Sequence, residues 1–272
     1  MIDDGLERLA GTHSDRRFGR AIEVHATATS TQDLAKHAIL AAGSARDGLV
    51  VTTHEQTGGR GTRGRRWWSP VGVSLAVSIV AAPSRPLARP ACVTQLAALA
   101  VVRAAALRGG AVRVRWPNDV VDGNGAKIAG VLAETMDGAR THVIGIGLNV
   151  FDPSTTPPEP LRERAGSMQS AGAAFRDLGD ALDVLLRALD VEWDEFEHGG
   201  ITALAGRMNA NDGLRGREVE LARGQQRSVG TFWGVDEDLA PRLLHADGSI
   251  TTWPAEHAEV VAIDGVPRDR RG

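Results

Sequence analysis

Apolar residues fall into short β-branched runs separated by turns, interleaved with three longer stretches at helical spacing. Ala21–His25 reads as a short strand, and Ser30-Thr31-Gln32-Asp33 then resembles a helix start, a hydroxyl cap followed by Asp in the first turn. That helix is expected to run to Ala42, and Leu49–Thr53 to form the next strand. Val73–Val80 (VSLAVSIV) predicts a strongly buried strand, and Pro90–Leu107 an Ala-rich buried helix. Strands follow at Val112–Trp116, Val120–Val121, Lys127–Thr135 and His142–Phe151, with DGNG and MDGA as hairpin turns between the later ones. Four strands in meander order predict a mixed, mostly antiparallel sheet with helices on one side, hence an α+β class.

Phe151–Ser170 is rich in Pro, Ser and Thr and predicts a surface loop. Ala173–Glu197 predicts a long amphipathic helix, whose stripe of Phe175, Leu178, Leu182, Leu185, Leu189, Trp193 and Phe196 faces the core. A boundary is expected near Asn209–Gly213, dividing a unit of residues 1–210 from one of residues 211–272. In the second, Glu218–Leu221, Ser228–Trp233, Arg242–His245 and Ser249–Trp253 alternate between glycine turns, the pattern of a small β-barrel.

Composition narrows the function classes. The chain has 272 residues, 42% hydrophobic, and a net charge of −3, against the overall basic balance of a general nucleic-acid binder. A single cysteine, Cys92, excludes an internal disulfide and fits a reducing cytosol. The acidic N-terminus lacks the apolar run of a signal peptide, and no stretch approaches a membrane span of roughly 20 apolar residues. A cytoplasmic protein is expected. Lys36 and Lys127 are the only lysines among 31 basic residues, so each invites a reason beyond charge.

Four segments carry candidate chemistry. Glu55–Trp68, EQTGGRGTRGRRWW, combines glycines that permit close backbone approach with arginines that match phosphate and carboxylate oxygens. It is not a phosphate-binding Walker loop, since no Lys follows and the next element is a strand; it must act as a flap or be a plain basic loop. Arg113–Asp119, RVRWPND, places Asn118 and Asp119 at a strand end and by itself reads first as an ordinary turn. Lys127–Glu134 sets a lysine before small residues, pointing into a site or salt-bridged on a strand. Gly145–Val150, GIGLNV, has strand glycines for close packing and an Asn149 that could read a base edge or end the strand. No histidine spacing suggests a metal, and no Ser-His-Asp or Cys-His set is evident.

In order along residues 20–265, Ser30-Thr31, E-Q-T-x-G-R-G-x-x-G-R-x-W, W-P-N-D, K-x-A-G-x-L-x-E and G-x-G-x-N together resemble the biotin protein ligases of the biotin/lipoate ligase superfamily. The resemblance implies a class II synthetase-like catalytic domain and a C-terminal SH3-like barrel. It implies ATP-dependent activation of biotin as biotinyl-5′-AMP and transfer to a lysine of a biotin carboxyl carrier protein or domain of an acyl-CoA or pyruvate carboxylase, the activity of a biotin–[acetyl-CoA-carboxylase] ligase. ATP, biotin and Mg²⁺ are the implied ligands, the Mg²⁺ arriving with ATP and no protein ligand assigned to it. Lys127, Arg60 and Asp119 are the implied catalytic residues. Ser30, Thr31, Gln56, Arg60, Gly61, Lys127, Gly130 and Gly145 would hold biotin, with the two strand glycines meeting its flat bicycle. Arg63, Arg65, Trp67, Asn118 and Asn149 would hold ATP and the adenylate. Thr62 departs from the family's usual Arg, which implies weaker retention of the adenylate. About 20 residues precede the first strand, too few for the DNA-binding module of repressor members, so no DNA partner and no membrane is expected. The alternatives left open are a lipoate–protein ligase of this fold and a catalytically weakened biotin-binding protein. The acceptor carboxylase, the oligomeric state (relatives dimerise through their sheets) and the role of the C-terminal unit stay open as well.

Overall fold

A computed structural model describes residues 4–83, 87, 91–159, 165–256 and 258–268; of Arg63 and Ala139 it describes the backbone alone. The first sheet has eight strands: β1 (Gly11–Thr12), β2 (Ala21–Ala28), β3 (Leu49–Gln56), β4 (Ser74–Ala81), β5 (Arg113–Arg115), β6 (Asp119–Val121), β7 (Lys127–Met136) and β8 (Thr141–Asn149). Their order across the sheet is β1-β2-β3-β4-β8-β7-β6-β5. Among the described strands only β2 and β3 pair with each other in parallel, joined by α1 (Thr31–Ala42) as a crossover. The other pairs are antiparallel.

The two faces are covered by different helices, which corrects the expectation of helices on one side. Period-two alternation sends Leu49, Val51, Val80 and Val143 to one face, where Ala35 and Ile39 of α1 pack on them. Val50, Val77, Ile79, Ile144 and Ile146 go to the other face, under α2 (Cys92–Leu107) and α3 (Leu178–Ala210). With both faces covered, all eight residues of β4 are buried. Cys92 is buried in this layer, and burial pushes its thiol up to about 12, leaving it a small apolar residue and no nucleophile.

α3 begins five residues later than the hydrophobic stripe suggests. The Asp177 carboxylate accepts the Asp180 N–H at 2.8 Å, an N-cap that sets the start at Leu178. It ends later too: Gly200 breaks the helical dihedrals (φ 65°, ψ −162°), and the chain resumes a helix to Ala210. Part of the expected surface loop is packed, with Ser167 and Met168 buried.

A second sheet of six antiparallel strands runs β12-β11-β10-β9-β13-β14: β9 (Glu218–Arg223), β10 (Gln226–Val235), β11 (Pro241–Leu244), β12 (Ile250–Thr252), β13 (Glu259–Ile263) and β14 (Val266–Pro267). Its inward residues Val219, Leu221, Phe232 and Leu243 share one apolar cluster with the first sheet. Buried Trp116 donates its indole N–H to Leu239 O, 3.3 Å away, across that junction.

The chain before β1 is fastened to the sheet through His54 on β3. Its Nδ1 lies 2.8 Å from Asp4 Oδ2 and its Nε2 3.1 Å from Glu7 Oε1. Hydrogen bonds to these carboxylates, Asp4 foremost, raise the His54 pKa above its ordinary 6.5. A raised folded-state pKa contributes stability that is complete below the unfolded value and fades as pH climbs through the folded value. His54→Gln is therefore expected to lower Tm by a few degrees at about pH 5.5 and by much less at about pH 9. Equal losses at both pH values in thermal melts would rule out an ionic latch.

Candidate functional site

On the α1 face, beyond the N-terminus of that helix, none of the described helices covers the sheet. Register explains what lines the opening. Gly130 of β7 pairs with Gly147 of β8, and Gly147 with Ala76 of β4. Small residues thus stand side by side on three neighbouring strands and leave a trough in the sheet. The cavity above it is about 1300 Å³. From the start of α1 it is lined by Ser30 and Thr31, from the end of β3 by Gln56, from the segment after it by Arg60, Gly61, Arg65 and Trp67, and from the far strands and the turn before β6 by Asn118, Asp119, Lys127, Gly130, Gly145 and Asn149. Every candidate residue whose side chain is described therefore reaches one cavity; the side chain of Arg63 lies outside the described residues.

The Gly/Arg segment is a hairpin and not a featureless loop. Trp67 N donates to Gly59 O at 2.9 Å, Arg60 bridges Arg66, and Gly61 N donates to Arg65 O at 2.7 Å. A single 3-10 turn, Thr62–Gly64, forms the tip, with Gly64 at φ 73°. Arg60 is held by a two-pronged pair with Asp33 on the first turn of α1, at 2.8 and 2.5 Å. That guanidinium holds the Asp33 carboxyl below its ordinary range. The hairpin is thus latched to the helix that borders the cavity.

Trp67 lies flat in the trough. A Cβ on Gly147 would overlap its indole, and one on Gly130 would come within 3.2 Å of it. Its indole nitrogen is buried and has no hydrogen-bond partner among the described residues. Lys127 Nζ stands 5.4 Å from the centre of the Trp67 ring. At Gly145 a Cβ would overlap Gln32 Oε1, so its missing side chain makes room for a neighbouring residue. Gly145 still borders the cavity, and Gly147, two residues on along the same face, makes room for the Trp67 indole in the same way.

Charge is concentrated at the other end. Asp119 is buried, and burial opposes its ionisation. Lys127 at 2.6 Å, Arg115 at 3.0 Å and Arg268 at 2.5 Å nevertheless hold its carboxyl well below the ordinary carboxylate range. Burial pushes the Lys127 ammonium down, against the pull of Asp119. It also pushes Arg268 down to about 10. Three cations converge on one buried carboxylate at a half-enclosed spot, an arrangement suited to receive an anion. Asp119 positions those cations, and its oxygens are committed to them. Among the described residues no group of three His, Cys, Asp or Glu side chains could hold a metal ion.

Asn118 and Asn149 are structural ties as well as lining. Asn118 Nδ2 donates to Val131 O at 3.0 Å, and Asn149 Nδ2 to Gly166 O at 2.9 Å. Arg65 donates to Thr62 Oγ1 at 3.0 Å, folding back on the hairpin tip. Several lining residues escape sequence reasoning: Gln32, Ala76, Ser78, Gly147 and Arg268. Gly147 carried a signal, sitting on the same strand face as Gly145. Arg268 carried none, because the β13–β14 turn brings it to the site from 149 residues beyond Asp119.

Fold and site together define an α+β protein whose glycine-floored trough and cationic end suit a flat ligand joined to an anion. Residues 24–150 match the model of the Biotin/lipoate A/B protein ligase family. The chain is 30% identical over 204 residues to the biotin--[acetyl-CoA-carboxylase] ligase of Paracoccus denitrificans, covering 70% of this chain and 81% of that one. It is 32% identical over 204 residues to the bifunctional ligase/repressor BirA of Bacillus spizizenii, covering 71% of this chain and spanning 62% of that relative's length. A biotin protein ligase from Aquifex aeolicus in complex with biotin and ATP superposes with a TM-score of 0.75 at 23% identity, over 88% of this chain and 97% of that one, a likeness of fold. The chain belongs to the biotin/lipoate A/B protein ligase family, among its biotin protein ligases.

Proposed function

We propose that the protein activates biotin with ATP and transfers it to a carrier lysine. The observation that carries this reading is one cavity joining a glycine-floored trough to the cations Lys127, Arg115 and Arg268 gathered on Asp119. Activation brings two anions together, the biotin carboxylate and the α-phosphate, and cations between them offset the repulsion. A carboxylate oxygen forms a bond to the α-phosphorus, and the bond to pyrophosphate breaks. In the second step the carrier lysine, as its free amine, bonds to the acyl carbon, the bond from that carbon to the phosphate oxygen breaks, AMP leaves with the bonding pair, and the surplus amine proton passes to solvent.

In this reading Lys127 lies between the carboxylate and the α-phosphate, a compact ammonium acting as a point charge. Arg115 and Arg268, with Arg60 and Arg65 of the hairpin, serve the phosphates. Ser30, Thr31, Gln56 and the backbone at Arg60 and Gly61 hold the ring end of biotin. Trp67 covers the adenine, and Asn149 reads it once freed from Gly166 O. Mg²⁺ enters as the counter-ion of the ATP phosphates, part of the substrate. The acyl phosphate is a mixed anhydride that water destroys, so the hairpin closes over it and keeps it dry.

The partner is a carboxyl carrier protein or domain, the reaction is cytoplasmic, and residues 1–210 form the catalytic domain with 211–272 as an accessory domain. No described helix is long and apolar enough to cross a membrane. A lipoate ligase of the same fold is the competing assignment. Purified protein, ATP, Mg²⁺, labelled biotin and an apo carrier domain decide between them: label on the carrier lysine is expected. Pyrophosphate exchange driven by lipoate and not by biotin would overturn the reading.

Thr62 leaves the hairpin tip without a cation that the family usually has there. Thr62→Arg is therefore expected to slow escape of biotinyl-adenylate into solution by about tenfold. Release of the adenylate is measured by trapping free intermediate with hydroxylamine in the absence of carrier. Unchanged release would show that Arg63 or Arg65 already fills that place.

A further inference from the structure

The end of the trough at α1 contains a chain of hydrogen bonds whose direction follows from counting protons. Gln32 is buried, and its Nε2 donates to Val143 O at 3.0 Å and to Leu132 O at 3.3 Å. Both hydrogens of the amide are used. Two carbonyl oxygens can be faced only by the NH2 end, so the amide can sit only one way round. Its Oε1 is then turned to Ser78, whose hydroxyl donates to it at 3.1 Å. Ser78 is fully buried and has one proton to give. With that proton on Gln32, Ser78 Oγ must accept across its 2.9 Å contact with Thr31 Oγ1. Thr31 spends its own proton there, since its other neighbour, Gln56 Oε1, is farther off at 3.4 Å. The opposite direction would strand the buried Gln32 oxygen without a donor.

Two consequences reach the cavity. The Thr31 hydroxyl offers lone pairs and no proton. Gln56 Oε1 accepts the Thr31 N–H at 3.0 Å, so the NH2 end of that amide is the donor beside it. An acceptor next to a donor is the complement of an N–H next to a C=O. We infer that Gln32 and Ser78 are positioning residues that polarise Thr31 through this relay, so that the trough selects a cyclic urea over a ring without N–H. The inference rests on the ligase reading above and deepens it. A dithiolane ring offers neither group, so a lipoyl ring would leave both Thr31 and Gln56 unanswered. Gly145 belongs to the same device, because a side chain there would expel Gln32 Oε1.

Calorimetric titration of biotin, and of biotin methylated at each ureido nitrogen, tests the relay in the parent, in Ser78→Ala and in Gln32→Met. The parent is expected to bind biotin about 100-fold more tightly than the isomer whose methyl faces Thr31. In Ser78→Ala the Thr31 hydroxyl can turn, and affinity for biotin is expected to fall about tenfold with a smaller loss for that isomer. The ratio between the two ligands thus shrinks, which a merely structural role for Ser78 would not produce. Gln32→Met, of similar volume, is expected to do the same; should it fail to fold, Ser78→Ala decides alone. Full discrimination in Ser78→Ala, or equal losses for both ligands, would overturn the relay while leaving biotin binding by the parent intact. A parent protein that binds none of these ligands would overturn the ligase reading as well.

Discussion

Lys127→Ala loses pyrophosphate exchange by about a thousandfold and loses little stability, the larger of the effects expected here. The two halves of this expectation have separate causes. Lys127 is 2.6 Å from Asp119 and borders the trough, and in the proposed reading its ammonium stands between the carboxylate and the α-phosphate. Its removal takes away charge stabilisation that is needed most as the new bond forms. Stability is spared because Asp119 keeps Arg115 and Arg268. Breaking a buried pair costs several kcal/mol when a charge is left alone, and here none is. Lys127→Arg restores the charge but not the reach of a single point, and is expected to recover less than a tenth of the lost rate. Transfer from preformed biotinyl-adenylate to the carrier is expected to fall far less than exchange, because the first step carries the repulsion. Exchange and thermal melts on the same preparations check both halves. A variant that melts far below the parent, or that keeps exchange, would remove Lys127 from the chemistry.

How much of this was legible beforehand differs by residue. The strand pattern located β3, β4, β7 and β8 closely, because burial on one or both faces imposes an apolar period that composition cannot hide. Lys127 stood out as one of two lysines in an arginine-rich chain, set before residues small enough to open the sheet. The covering of both faces was not legible. Strand runs such as Leu49–Val51 show that both sides are apolar but not which helix each side meets. The relay through Gln32 and Ser78 was hidden for a similar reason: a buried serine in an apolar strand has no sequence mark separating it from packing. Arg268 depends on a turn at the far end of the chain, and its encounter with Asp119 is a fact of topology alone. Spacing marks Gly145 as a strand residue without a side chain but does not show that Gln32 Oε1 fills its place.

Gly147→Ala is expected to weaken binding of both biotin and ATP by about 100-fold without unfolding the sheet. Gly147 is not among the glycines with positive φ, so alanine brings no backbone strain. A methyl on this interior strand would, if anything, suit the sheet. The penalty comes from space alone. The new Cβ would overlap the Trp67 indole, and the indole cannot simply retreat. Its backbone N–H is tied to Gly59 O at 2.9 Å, and Arg60 is held by Asp33 on α1. The strain therefore passes along the hairpin, which must lift from the trough and leave both ligands without a cover. Amide exchange at Trp67 and Gly61 is expected to quicken in the variant, reporting the lifted hairpin independently of binding. Trp67→Phe, with a smaller ring, is expected to return part of the lost affinity when combined with Gly147→Ala, a coupling that two unrelated defects would not show. Parent-like affinity together with parent-like exchange at these amides would mean that the indole and the glycine floor do not form one closing unit.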